Sequence, residues 1–407
     1  MRLPGTEDFA PPPTGAERAR WREADIAARP ARLGRLRARL AEAGLDAYFG
    51  VRPEHMRYLT GFTLGEGEEK VAGNSGRFFA TGSEVVVLAD SRYALQAGRQ
   101  APEARLEECG YDLSGRWPAL VAGLGARRVA VEAGFVSHAL WEALAAAAPD
   151  VELVPVEGWL ETGRAVKEPA EVERIAAACA VCDRALARLL PRIRAGVTER
   201  ALALELEWLV RTGGAEALAF DVACLAGPEA ALPHGSPGDR QVLSGSVLLF
   251  DFGAQVDGYR SDMTRTFFVG EPAARDLAIY ALVAAAQEAA LTTLETALAG
   301  GGTAAGLPSG RVVDAAARAV IEAAGHGEHF GHGTGHGIGL ATHELPSLSR
   351  TAAESPLPSP TVFSLEPGVY LAGETGVRIE DLALLDAAAG RLEHLTHFPR
   401  AVLVVGG

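Results

Sequence analysis

Two segments in the C-terminal half of the chain share one layout, and that layout leaves few folds open. The run VLLFDFGAQVDGYRSDMTRTFFVG, residues 247–270, has strand-like apolar stretches on either side of Gln255-Val256-Asp257-Gly258. Asp-Gly between such stretches is a strong hairpin signal. A reversal there sets Asp251 and Asp262 facing each other. The run TVFSLEPGVYLAGETGVRIEDLALL, residues 361–385, repeats the plan, with the midpoint between Glu366 and Glu380 at Gly373, inside an Ala-Gly-Glu-Thr-Gly turn. A second hairpin would bring those two carboxylates together.

Residues opposed on one face of an antiparallel pair have Cβ atoms about 4.5 to 5.5 Å apart, where two like charges repel. A cation must compensate. Two divalent ions balance four carboxylates, and metal pairs in hydrolases sit roughly 3.5 to 4 Å apart. Any one of these acids alone would read as a solvated strand residue. Two hairpins of the same design, close to His336 in a glycine and histidine loop, read instead as a two-metal hydrolase.

With 38 basic against 52 acidic residues and a net charge of -14, the chain is not expected to bind nucleic acid or an anionic membrane surface. The stretch MRLPGTEDFAPPPTGAERARW lacks the apolar centre of a signal peptide, and no uninterrupted run of about 20 apolar residues is evident. The expected location is the cytoplasm. Lys70 and Lys167 are the only lysines, against abundant arginine and alanine, which reflects compositional bias. Four cysteines, Cys109, Cys179, Cys182 and Cys224, are too few and too irregular for a disulfide framework. The Cys179–Cys182 CxxC lies in a helical pattern and reads as a buried helix face.

The 407 residues, 48% of them hydrophobic, suffice for two domains. Residues 1–25, rich in proline and charge, are expected to form an irregular arm. From Pro30 an amphipathic helix is expected to run to Gly44. Alternating strand and helix patterns then define an α/β domain over residues 26–160. Glu168-Pro169, followed by Glu171 and Glu173, marks the start of a long helix in the next domain, residues 161–407. There, helices followed by a hairpin occur twice. This α+β pseudo-two-fold repeat would pair both hairpins in one sheet, with helices packed on one face.

His332, His336 and His343, three of the ten histidines, fall within FGHGTGHGIGLATHE, where alternating glycines allow close backbone approach. Other glycine-rich chemistries fail. No lysine completes a Walker loop, and GxGxxG is not matched within residues 331–339. His343-Glu344 does not begin an HExxH helix, because residue 347 is Ser and Pro346 would break it. No GxSxG nucleophile elbow occurs.

RAVKEPAEVERI, LPHGSP, LLFDFGAQVDGYRSDMTRTF, GHGTGHGIGLATHE, FSLEPGVY and GVRIED occur in that order. Together they resemble the pita-bread metallopeptidases of the Xaa-Pro peptidase branch, the prolidases and aminopeptidases P. YLTGF and ADSRY are similar to the amino-terminal, creatinase-like domain of that group, so the resemblance spans nearly the whole chain. It implies a C-terminal pita-bread catalytic domain and metal ligands at Asp251, Asp262, His336, Glu366 and Glu380. It also implies that His234 and His343 contact substrate or move protons, that His332 lines the pocket, and that Glu366 accepts the proton of an attacking water. Arg378 is similar to a family arginine near the site, and a structural salt bridge is its alternative role. Ser364 stands where the family often has threonine.

Four oxygen donors with one imidazole favour Mn²⁺, with Co²⁺ or Zn²⁺ as alternatives. The implied substrates are small proline-containing peptides, Xaa-Pro dipeptides first and Xaa-Pro-Yaa peptides second, with Arg350, Arg77 or Arg92 as candidate anchors for the terminal carboxylate. A same-fold lyase or hydrolase of a small osmolyte, and a non-catalytic binding module, are the competing readings. A homodimer is implied by the resemblance alone.

Overall fold

The computed structural model describes residues 3–65, 73–300 and 303–406; Lys70 lies outside them. The chain divides into two compact units. One is Ala19–Gly163, and the other combines Met1–Arg18 with Arg164–Gly407.

The first helix, α1 (Gly15–Ala43), corrects the expected irregular arm from Gly15 onward. Thr14 and Glu17 form a capping box at its start: the Glu17 N–H donates to Thr14 Oγ1 at 3.2 Å and the Thr14 N–H to Glu17 Oε2 at 2.7 Å. Pro30 lies inside the helix rather than opening it. Trp21, Asp25, Arg32, Leu36 and Leu40 make one buried face on both sides of Pro30, and that packing outweighs the backbone bond the proline removes. Buried Asp25 is paired with Arg32 at 3.1 Å.

In the unit Ala19–Gly163 there follow β1 (Ala47–Gly50), α2 (Pro53–Thr60), β2 (Phe78–Thr81), β3 (Val85–Ala89), α3 (Ala94–Gln100), β4 (Arg105–Glu108), α4 (Leu113–Gly123), β5 (Arg128–Glu132), α5 (His138–Ala147) and β6 (Glu152–Val156). They build a six-stranded sheet in the order β4-β3-β2-β1-β5-β6. Only β1–β2 and β2–β3 are antiparallel. The apolar runs that form these strands pack Phe49 and Phe79 against Trp117 in the core.

The second unit contains α6 (Glu161–Ala165, from Arg164 onward), α7 (Pro169–Leu189), α8 (Glu199–Thr212), β7 (Ala217–Leu218), β8 (Ala223–Ala226), β9 (Val247–Phe252), β10 (Ala254–Val256), β11 (Tyr259–Arg260), β12 (Met263–Val269), α9 (Ala274–Ala299) and α10 (Gly310–Ala323). It continues with β13 (Gly335–Gly337), β14 (Glu344–Leu348), β15 (Thr361–Leu365), β16 (Gly368–Leu371), β17 (Thr375–Arg378), β18 (Asp381–Asp386), β19 (Arg391–His394) and β20 (Val404–Val405). The Glu168 N–H donates to Glu171 Oε2 at the start of α7, and Thr198 and Ser309 cap α8 and α10.

The expected hairpins form, but with different registers. The first turns at Asp257-Gly258, both with positive φ (48° and 81°), as a tight two-residue connection requires. Its register sets Asp251 opposite Thr264. Asp262, two residues before Thr264, is therefore the diagonal neighbour of Asp251 on the same face, which corrects the expectation that the two acids are directly opposed. In the second hairpin Leu365 pairs with Asp381 and Gly368 with Arg378, so Glu366 sits directly opposite Glu380.

The hairpins do not share one sheet, as expected from the repeat. β9 and β12 belong to the order β20-β12-β9-β8, while β15 and β18 belong to β14-β13-β15-β18-β19. The Glu380 N–H donates to the Thr264 carbonyl at 3.1 Å across the seam.

By length and composition α9 could cross a membrane, although the sequence showed no uninterrupted apolar run. It packs within the core: Ile279, Val283, Ala286, Ala290 and Leu294 are buried among residues of the second hairpin and α10. Gln287 on the same helix donates from Nε2 to the carbonyls of Leu365 and Ile379 and to Asp381 Oδ2. This buried amide fixes both strands that lead to Glu366 and Glu380.

Candidate metal centre

Alternation along β9 and β12 and along the second hairpin turns Asp251, Asp262, Glu366 and Glu380 into one cavity of about 350 Å³ in the second unit. His336 enters from β13. Gly335 and Gly337 flank it because a Cβ at either position would collide with the Ser364 or Leu345 carbonyl. His336 Nδ1–H donates to the Gly337 carbonyl at 3.1 Å, which leaves Nε2 aimed at the acids. Nε2 lies 3.2 Å from Glu366 Oε1 and 3.7 Å from Asp262 Oδ2. Ser364 accepts from the His336 N–H and donates to Glu366 Oε1, both at 3.0 Å, so this side chain holds both groups.

Arg378 carries a dense set of bonds. Its guanidinium donates to Asp251 Oδ2 at 2.6 Å, to the Tyr370 hydroxyl at 2.8 Å, to the Pro233 carbonyl at 3.3 Å and to Thr264 Oγ1 at 2.9 Å. All three of its nitrogens are engaged, so the structure favours its salt-bridge role over one as a free substrate anchor. Through Pro233 it also holds the loop carrying His234. Tyr370 hydrogen-bonds onward to His332 Nε2 at 2.8 Å, while His332 Nδ1 pairs with the Gly333 carbonyl. His343 stacks at a tilt on His336, ring centres 4.2 Å apart. Its neighbour Glu344 is fixed by Lys167 and Arg164.

Burial sets the electrostatic baseline, since several ionisable groups leave water together. It raises Asp251 above the ordinary aspartate value, and Arg378 offsets only part of that rise. Asp262 and Glu380 stand well above theirs, through burial first and then repulsion from the other carboxylates. Burial alone would raise Glu366 too, but the hydrogen bond and charge of His336 take it down to about 2. Burial alone would lower His336, and Glu366 carries it up to about 9. Burial also holds His332 and His343 below the ordinary imidazole value.

These residues fit a divalent metal. Asp251 Oδ1, Asp262 Oδ1 and Glu380 Oε1 are buried without a hydrogen-bond partner. Buried, unpartnered carboxylate oxygens are costly unless a cation meets them. Asp262, His336 and Glu380 each offer a ligand atom within 4.8 Å of the others. Carboxylate oxygens with one imidazole suit such an ion.

Nine of the residues singled out from the sequence line the cavity: the five candidate ligands, His234, His332, His343 and Arg378. Arg350 does not. It lies at the surface, 60% exposed, and pairs with Glu322 at 2.9 Å. Arg92 pairs with Asp90 in the other unit. Tyr370, Thr264 and Phe220 went unrecognised. Tyr370 and Thr264 share strand parity with Glu366 and Asp262, a readable signal, whereas Phe220 carries none.

Residues 173–387 match the model of metallopeptidase family M24, and residues 32–166 match the creatinase/prolidase N-terminal domain. An uncharacterised peptidase of Bacillus subtilis, YqhT, is 32% identical over 92% of this chain and 100% of its own length. Among solved structures, the Xaa-Pro dipeptidase from Bacillus anthracis is 31% identical with a TM-score of 0.81, covering 92% of this chain and 99% of that one. The X-Pro aminopeptidase from Thermotoga maritima is 34% identical with a TM-score of 0.75, covering 89% of this chain and 98% of that one. With a family model spanning most of the second unit and a relative matched end to end, the chain belongs to metallopeptidase family M24, a family of divalent-metal enzymes.

Proposed function

We infer that the protein hydrolyses the peptide bond before proline, as an Xaa-Pro dipeptidase, with Xaa-Pro-Yaa peptides as the alternative substrates. The observation that carries this reading is the convergence of five ligand-type residues and three histidines in one cavity of a chain similar along 92% of its length to an Xaa-Pro dipeptidase. Asp251, Asp262, His336, Glu366 and Glu380 would hold two divalent ions, Mn²⁺ first and Co²⁺ or Zn²⁺ next. When bound, such ions polarise a scissile carbonyl and lower the pKa of an attacking water.

The remaining work falls to the chain. Glu366, ionised at neutral pH and oriented by Ser364, accepts the proton of the water and returns it to the departing proline nitrogen. His234 and His343 stand in the wall where they can hydrogen-bond a developing oxyanion, and His332 completes that wall. Arg378 holds Asp251 and the His234 loop in place. The proposal includes a homodimer, on the family resemblance alone, and a cytoplasmic location, which four free, buried cysteines suit.

Manganese-loaded protein should cleave Ala-Pro and Gly-Pro but not Ala-Ala, and chelation or Glu366→Ala should abolish cleavage. Full metal occupancy with no turnover of any proline peptide would contradict the reading and favour a small osmolyte as substrate.

A further inference from the structure

The cavity offers unlike surroundings to the two ends of a peptide. Its floor holds the four carboxylates, where the ions would bind and the scissile carbonyl would sit, and the group beyond proline is left to the outer wall. Ser347 and Ser349 line that wall. Their hydroxyls lie 3.0 Å apart, and Thr351 Oγ1 is 3.3 Å from Ser349.

A free carboxylate after proline would be held best by an open guanidinium or ammonium, which forms short, charge-assisted bonds. Among the described residues lining the cavity, the one permanent cation is Arg378, whose side chain is 3% exposed and spends four of its five N–H donors on Thr264, Pro233, Tyr370 and Asp251. Arg350, next in sequence to Ser349, is turned outward to Glu322. His234 and His343 carry no permanent charge and can donate to an amide or a carboxylate oxygen. Hydroxyls also donate to either, and accept from an amide N–H as no cation can.

We propose that Ser347 and Ser349 form a charge-neutral subsite for the group that follows proline, so that the enzyme selects proline without selecting the carboxylate beyond it. The inference rests on the Xaa-Pro reading above and adds its specificity. Xaa-Pro dipeptides, their amides and Xaa-Pro-Yaa peptides all enter, and no charge at this position sorts them.

The test compares kcat/KM for Ala-Pro and Ala-Pro-NH2 with manganese-loaded protein, together with inhibition by proline and by prolinamide. The two substrates should agree within about threefold and the two inhibitors likewise, because neutral hydroxyls discriminate weakly. Ser347→Arg should then shift the ratio toward Ala-Pro by about tenfold or more, through a new charge-assisted contact. Ser347→Lys gives the same readout if the arginine variant does not fold. A wild-type preference for Ala-Pro above about tenfold, or a folded variant whose ratio does not move, overturns the subsite. Failure to cleave either substrate instead overturns the Xaa-Pro reading, and the subsite with it.

Discussion

The two carboxylate hairpins reach the same cavity by different geometries. In the second, Glu366 and Glu380 are directly opposed across the ladder; in the first, Asp251 and Asp262 are diagonal neighbours, with Thr264 directly opposite Asp251. Yet each hairpin ends with one acid within 3.2 Å of a cation and one farther from any. Asp251 has Arg378, supplied by the second hairpin, and Glu366 has His336, supplied by β13. Asp262 and Glu380 are raised well above the ordinary carboxylate values, Asp251 is raised less, and all three keep an unpartnered oxygen. Asp262 and Glu380, with His336, are the set whose ligand atoms converge. Short-range compensation by protein cations is thus built in for half of the acids, and a divalent ion would answer the rest.

The sharpest way to break this comparison is to neutralise one acid of each kind. In metal-free protein, Asp251→Asn strands buried Arg378 and should cost about 3 to 5 kcal/mol in urea unfolding. Asp262→Asn removes a buried carboxyl held well above its ordinary value and should leave metal-free stability unchanged or higher. Equal losses would mean that the two acids are not differently compensated.

A second, smaller effect is the pH dependence. Because Asp262 and Glu380 have folded values above their unfolded ones, the metal-free fold binds more protons than the unfolded chain. Metal-free stability should therefore be fully present at acid pH and decline as pH rises above the ordinary carboxylate range. The slope is about 1.4 kcal/mol per pH unit for each group. A divalent ion held by both acids would keep them ionised, so loading with manganese should remove the slope and release protons. Denaturation from about pH 5 to about pH 8, with and without metal, checks the sign. Metal-free stability that rises with pH would contradict it.

Thr264 joins the two geometries, donating to Glu380 Oε2 at 2.8 Å and accepting from Arg378 Nε at 2.9 Å. Thr264→Ala should cost about 1 to 3 kcal/mol, the penalty of leaving buried partners unmet, and Thr264→Ser should recover most of it. No loss on thermal or urea unfolding would show that the hairpins do not depend on this hydroxyl.

Much of the site was legible because strand alternation and turn chemistry are local. Asp257-Gly258 and the turn around Gly373 announced two hairpins, and parity put the acids on inward faces. The facing of Asp251 and Asp262 failed for a reason also in the sequence: a two-residue turn at Asp257-Gly258 sets Val256 against Tyr259 and so Asp251 against Thr264. The Thr14–Glu17 capping box similarly announced α1 before Pro30. What no local signal carries is which distant group answers which charge. That Arg378 turns to Asp251, 127 positions away, and Arg350 to Glu322 depends on how the hairpins and α10 pack.

The most direct test of the account is an anomalous-scattering map from crystals of the manganese-loaded protein. Two peaks between the hairpins, within coordination distance of Asp262, His336 and Glu380 and extending to Asp251 and Glu366, are predicted. Manganese absent from that cavity, or bound elsewhere while these acids point apart, would contradict it.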